Sequence, residues 1–271
     1  MKYKSCLENL DLAKNDFDIH QIMVISLLKL LSNLKRFDIS QLERDQNLKM
    51  FHYDYRRSSK HSDHLAKLDN QSIVYNSYYR ISDFLISLPS SLEYFNGSFI
   101  EVRAGHSPNS ITFTGIKHMK MFDIASTTLE DCNYTIKGLE NVEVLNISNF
   151  KCHVLNYTFL RSCANLQQLI MHSSSLGTGL ENDHQGVFLK DLKSLQHINF
   201  ARNEFKLPFS KLAFQSQLHS LRFLTLEGNM FTIMPVNLAD FNHLRLLDIR
   251  NNKILYLTNK ETNDIERLIK K

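Results

Sequence analysis

The chain has 271 residues, 43% of them hydrophobic and 22% charged, with a net charge of +4. It is too apolar to stay disordered and long enough for a large core, and its interleaved Lys/Arg and Asp/Glu single out neither nucleic acid nor a membrane surface. No window approaches the ~20 apolar residues of a membrane span, and the stretch after Met1 lacks the apolar segment of a signal peptide.

The first ordered pattern is Leu7, Leu10, Leu12, Asn15 and Phe17. Its steps of three, two, three and two match neither the helical period nor strict strand alternation. The same pattern restarts at Leu34, weakly at Leu65 (with Leu68 and Asn70), and at Leu92, where Gly97 takes an apolar place. It continues from Met119, Val142 and Leu166. It is clearest at Leu195-Ile198-Phe200-Asn203-Phe205, Leu221-Leu224-Leu226-Asn229-Phe231 and Leu244-Leu247-Ile249-Asn252-Ile254. The starts lie about 23 to 31 residues apart, mostly inside the roughly 20–29-residue period of leucine-rich repeats, in which each unit supplies one strand and one return segment. The expectation is an α/β leucine-rich-repeat solenoid, a horseshoe with a parallel concave β-sheet and an irregular or helical convex side. Residues 1–271 then form one domain of about ten repeats, with 1–115 degenerate in part and 116–271 regular.

In each unit the x-Leu-x-Leu stretch is expected as a strand with its leucines inside, and the asparagine at the following turn. An amide has both donors and an acceptor, so stacked copies at Asn15, Asn203, Asn229 and Asn252 would form a structural ladder on backbone groups. Thr127 and Ser174 are polar stand-ins and Phe150 a departure. Of the four cysteines, none of them in a CxxC pair, Cys152 and Cys163 fall at apolar positions and are expected in the core. Neither "MKYKSC" nor "ETNDIERLIKK" supplies a visible cap, which suggests a piece of something longer.

Catalytic signals are poor. His61 and His64 lack further ligands at a metal spacing, "GTGLENDHQG" at 177–186 has no phosphate-loop context, and no nucleophile or carboxylate pair stands out. No catalytic residue, metal or cofactor is expected, and the chain is not expected to be an enzyme. A stack of strands does offer outward side chains to a partner. The central outward column runs Asp123, Asn146, Ile170, Asn199, Thr225 and Asp248. It is flanked by the candidate ligand-binding residues His172, His197, Arg202, Arg222, Arg245 and Arg250, whose Arg cluster suits an anionic partner; the plain alternative is a solvated strand face. The basic run Arg56 to Lys67 near Tyr53 and Tyr55 has some nucleic-acid character, with a solvated face as its plain alternative.

The runs "LPSSLEYFNGSF", "GLENVEVLNISNFKCHVLNYTFLRSCANLQQL", "NDHQGVFLKDLKSLQHINFARNEFKLPFSKLAF" and "LRLLDIRNNKILYLTNKET" resemble Toll-like receptor ectodomains, particularly invertebrate ones such as those of molluscs. The resemblance covers residues 88–271 well and 1–87 loosely. It implies the extracellular, ligand-recognising part of a membrane receptor of innate immune signalling, which binds a protein or microbial ligand and pairs with another receptor ectodomain. The family's signal peptide, C-terminal cysteine cap, membrane helix and Toll/interleukin-receptor domain are not in the sequence at hand. Five N-x-S/T sequons, at Asn70, Asn96, Asn133, Asn146 and Asn156, fit a glycoprotein. An intracellular leucine-rich-repeat scaffold for protein–protein interaction is the alternative.

Overall fold

The computed structural model describes residues 7–11, 33–38, 83–87, 90–98, 101–102, 110–114, 117–125, 128–129, 134–136, 138–149, 157–180 and 183–269. Asn15, Asn70, Asn133, Asn156, the His61/His64 pair, the basic run 56–67, Cys152, Thr127, Phe150 and the Leu65 repeat lie outside them. In chain order the strands are β1 (Asn9–Asp11), β2 (Arg36–Asp38), β3 (Asp83–Ser87), β4 (Tyr94–Asn96), β5 (Glu101–Val102), β6 (Ser110–Thr114) and β7 (Met121–Asp123), then β8 (Thr128–Leu129), β9 (Tyr134–Ile136), β10 (Val144–Asn146), β11 (Gln168–Ile170), β12 (His197–Asn199), β13 (Phe223–Thr225) and β14 (Leu246–Asp248). Among the described residues two helices, α1 (Gly177–Leu180) and α2 (Asn259–Ile269), lie in the C-terminal half. The chain divides into two compact units, the first made of Met1–Leu139 with Lys151–Asn156 and the second of Glu140–Phe150 with Tyr157–Lys271.

In the first unit β1, β2, β4 and β7 pair in parallel, one strand per repeat, with Leu10, Phe37, Phe95 and Phe122 in register. Phe37, Phe95 and Phe122 are buried, and their rings follow one another at 6.0 and 5.6 Å. β2 pairs directly with β4, Phe37 opposite Phe95. Gly97, at an apolar position of its repeat, is buried, and its N–H reaches the Asp123 carbonyl at 2.8 Å, so the backbone ladder runs past it. The return segments here are themselves strands: β3, β6 and β9 form a second parallel sheet, and β5 pairs with β8.

In the second unit β10 to β14 pair in parallel with Leu145, Leu169, Ile198, Leu224 and Leu247 in register. The residues on either side point outward, as the two-residue period of a strand requires. Phe200, Phe205 and Phe231 are buried just beyond the strands, and the rings of Phe205 and Phe231 stack at 6.0 Å. Return segments are 3-10 turns at Tyr157–Ser162, Gln215–Gln217 and Leu238–Asp240, together with α1. Buried Gln217 ties its return to the previous one by donating from Nε2 to the Leu189 and Leu192 carbonyls, each at 2.8 Å. Cys163 is fully buried, and burial pushes its thiol up to about 12.

The unequal apolar spacing has its explanation in the turn after each strand. Asn203 donates to the Met171 and Ala201 carbonyls (2.7 and 3.1 Å) and accepts the N–H of Ser174 (2.8 Å). Asn229 donates to the Phe200 and Leu226 carbonyls (3.0 and 2.8 Å) and accepts the N–H groups of Asn203 and Phe205 (2.8 and 3.2 Å). Asn252 donates to Leu226 and Ile249 (3.0 and 2.8 Å) and accepts from Phe231 (3.2 Å). Ser174, one repeat earlier, donates its hydroxyl to the Ile147 or His172 carbonyl. The residue before this position turns left-handed every time: Asn149, Ser173, Arg202, Gly228 and Asn251 all have φ between 51° and 68°. Gly228 suits that backbone without a Cβ, and a Cβ there would come within 2.9 Å of the Arg202 Cγ.

The segment read as lacking a cap folds as α2. Thr258 and Glu261 form a capping box, in which Glu261 Oε2 accepts from the Thr258 N–H and hydroxyl (2.6 and 2.8 Å) while the Glu261 N–H reaches Thr258 Oγ1 (3.3 Å). Arg267 donates to the Leu238 carbonyl at 3.0 Å, which fastens the helix to the last 3-10 turn. Among the described residues, no helix is long and apolar enough to cross a membrane.

Candidate recognition surface

Each strand shows two outward positions, with a third just before it. Parallel pairing turns these into rows across the sheet. In the second unit the row at the first strand position runs Val144, Gln168, His197, Phe223 and Leu246, and the row at the third runs Asn146, Ile170, Asn199, Thr225 and Asp248.

The third-position row is less free than the sequence suggests. The Oδ1 atoms of Asn146, Asn199 and Asp248 accept the backbone N–H two residues on, at 3.2, 3.0 and 3.1 Å. In the first unit Asn96 and Asp123 do the same for Ser98 and Ala125, at 3.1 and 2.9 Å. These side chains close the turn that leaves the strand. The sequence signal was available: Asp and Asn hydrogen-bond their own backbone two residues ahead. Two sequon asparagines fall in this set. Asn96 also donates Nδ2 to Asp38 Oδ2 at 3.1 Å, and Asn146 Oδ1 accepts the hydroxyl of fully buried Ser148 at 2.7 Å.

The six candidate binding residues occupy three places. His172 is half-buried in the turn after β11, with Nδ1 3.3 Å from Ser173 Oγ. Arg202 and Arg250 are exposed in the turns that follow β12 and β14. Arg250 is held there by Asp248 through Nε–Oδ1 and Nη2–Oδ2 contacts of 2.9 and 2.7 Å, and this pairing keeps the Asp248 carboxyl below its ordinary range. Arg222 and Arg245 immediately precede β13 and β14, and the Arg245 N–H bonds the Arg222 carbonyl at 2.7 Å. His197 opens β12 with its ring 5.8 Å from that of Phe223, and burial holds its imidazole below the usual histidine range. The fold thus gathers Arg222, Arg245 and His197 at one side of the strands and leaves Arg202 and Arg250 beyond the other. Phe223 and Leu246, not singled out by sequence reasoning, complete the first group at 38% and 45% exposure.

A cavity bordered by Phe188, Phe200, Phe209 and Phe214 holds about 10 Å³, roughly one water. Among the described residues no three His, Cys, Asp or Glu side chains gather as a metal set.

No family model matches the chain. A 127-residue stretch, 45% of the chain, is 30% identical to human Toll-like receptor 8 and spans 12% of that receptor. A solved leucine-rich-repeat protein of Leptospira interrogans aligns with 97% of this chain and 59% of its own at 15% identity and a TM-score of 0.48. The parallel strands, one per repeat in each unit and joined in the second by buried amides across the turns, are those of a leucine-rich-repeat solenoid, a fold that presents its outward strand face to partners.

Proposed function

We propose that the chain is part of the extracellular, ligand-recognising region of a Toll-like innate immune receptor, a glycoprotein whose membrane segment and signalling domain belong to other parts of the polypeptide. The observation that carries this reading is the 30% identity to human Toll-like receptor 8 on top of a leucine-rich-repeat fold. Residues 1–271 belong to one leucine-rich-repeat domain of about ten repeats, without catalytic chemistry or cofactor. Ligand engages the outward face, where Arg222, Arg245 and His197 lie together, and a second ectodomain pairs with the first. Sequencing the transcript on both sides of this frame tests it. The expected result is a secretory signal upstream and, after Lys271, a ~20-residue apolar span followed by a Toll/interleukin-receptor domain. A stop codon after Lys271 with no upstream signal would move the assignment to an intracellular scaffold.

A further inference from the structure

The position just before each strand forms its own row, and the two units treat it differently. In the first unit neighbouring members neutralise each other: Lys35 Nζ lies 3.3 Å from Glu8, and Lys120 Nζ lies 2.8 Å from Glu93. In the second unit the same row ends Gln196, Arg222, Arg245, linked through backbone bonds of 2.8 and 2.7 Å. Two guanidinium groups therefore stand side by side on adjacent strands. Among the described residues neither has a carboxylate or hydrogen-bond partner for its side chain. Directly beside them runs the row His197, Phe223, Leu246, aromatic and aliphatic, with both apolar members more than a third exposed on a face that a solvated sheet would normally make polar.

We infer that this corner of the sheet, Arg222 and Arg245 flanked by Phe223 and Leu246, is the docking site for an acidic amphipathic helix of a partner protein. The spacing favours a helix. Adjacent strands lie about 4.8 Å apart, close to the roughly 5–6 Å between Cβ atoms three or four residues apart on a helix. A helix laid across the strands brings carboxylates at i and i+4 opposite the two arginines, while the neighbouring apolar stripe covers Phe223 and Leu246. The charge is complementary, and unpaired like charges on adjacent strands gain most from an anionic partner. The apolar row argues against a nucleic-acid strand. Leu246 offers no plane for a base, whereas single-strand sites pair their basic groove with successive aromatic rings.

The inference rests on reading the chain as a recognition module, and it holds whether that module works outside or inside the cell. The test is selection of a phage-displayed random 16-residue peptide library on the full 271-residue chain, followed by fluorescence anisotropy of the enriched peptides. The expected pool is acidic, with carboxylates three or four residues apart beside apolar positions. Its affinity drops roughly tenfold or more both in Arg222→Gln/Arg245→Gln and in Phe223→Ser, each checked for unchanged circular dichroism. A pool without acidic bias, or one whose affinity neither variant moves, overturns the site while leaving the module and the receptor reading standing. Binding of a single-stranded oligonucleotide that needs the arginines but not Phe223 overturns the helix as ligand. The receptor reading is decided separately, by the transcript.

Discussion

The two units solve the return journey of each repeat in different ways. In the first, returns at Asp83–Ser87, Ser110–Thr114 and Tyr134–Ile136 add strands to a second parallel sheet. In the second, they are 3-10 turns and one short helix. The segments themselves explain the split: "SITFT" is β-branched and aromatic, whereas "QSQ" and "LAD" have no strand preference. Both units nevertheless carry the same three-residue strand, its central residue buried in all but β1 and β14. The strand and its turn define the repeat, and the return has only to close the layer.

Breaking each solution separately sharpens that contrast. The largest effect is expected from Thr112→Pro, which removes an N–H from the middle strand of the three-stranded return sheet, where a proline has no place in the ladder. Hydrogen exchange should show protection lost across β3, β6 and β9; retained protection there would deny the sheet its role. Next comes Asn229→Leu, which strips buried backbone groups of two neighbouring repeats of their partner and should cost roughly 1–3 kcal/mol. An unchanged denaturation curve would mean that the amide ladder contributes nothing. Smaller and opposite in sign, Arg202→Gly should relieve a left-handed backbone at φ 55° and raise stability by up to about 1 kcal/mol, read as a shift in the urea midpoint.

The smallest effect is electrostatic. Arg250 holds the Asp248 carboxyl below its ordinary range, so the pair's contribution is present above the unfolded carboxylate range near pH 4 and disappears as pH falls through the folded value. Arg250→Gln should therefore lower stability slightly at pH 7 and not at pH 2. Equal losses at both pH values would assign the effect to something other than the ion pair.

Much of this architecture was legible from residue order. The strands β7 and β10 to β14 sit where Leu-x-x-Leu-x-Leu places them, because that spacing puts the apolar residues of each unit on the inner side of strand and turn. The return sheet was not legible. Two of its strands, β3 and β6, fall where the repeat is weak, and runs as short as "DFLIS" or the "YTI" of β9 carry little period of their own. The turn-closing role of the outward Asp and Asn column was also overlooked, since a polar residue pointing away from the core looks free until its bond to the N–H two positions ahead is seen. Phe223 and Leu246 drew no notice because single exposed hydrophobic residues are ordinary. Only the register, with Phe223 opposite Leu246, turns them into a patch.

The amides after the strands make most of their bonds to main-chain carbonyl and N–H groups of the adjoining repeat. At these turns one repeat holds the next through an amide bonded to main-chain groups, so this contact does not depend on which side chains the adjoining turn carries. A gene encoding such a stack can gain or lose whole repeats by unequal recombination without rewriting the seams. Length then becomes a quantity that selection can tune separately from the surface each repeat displays.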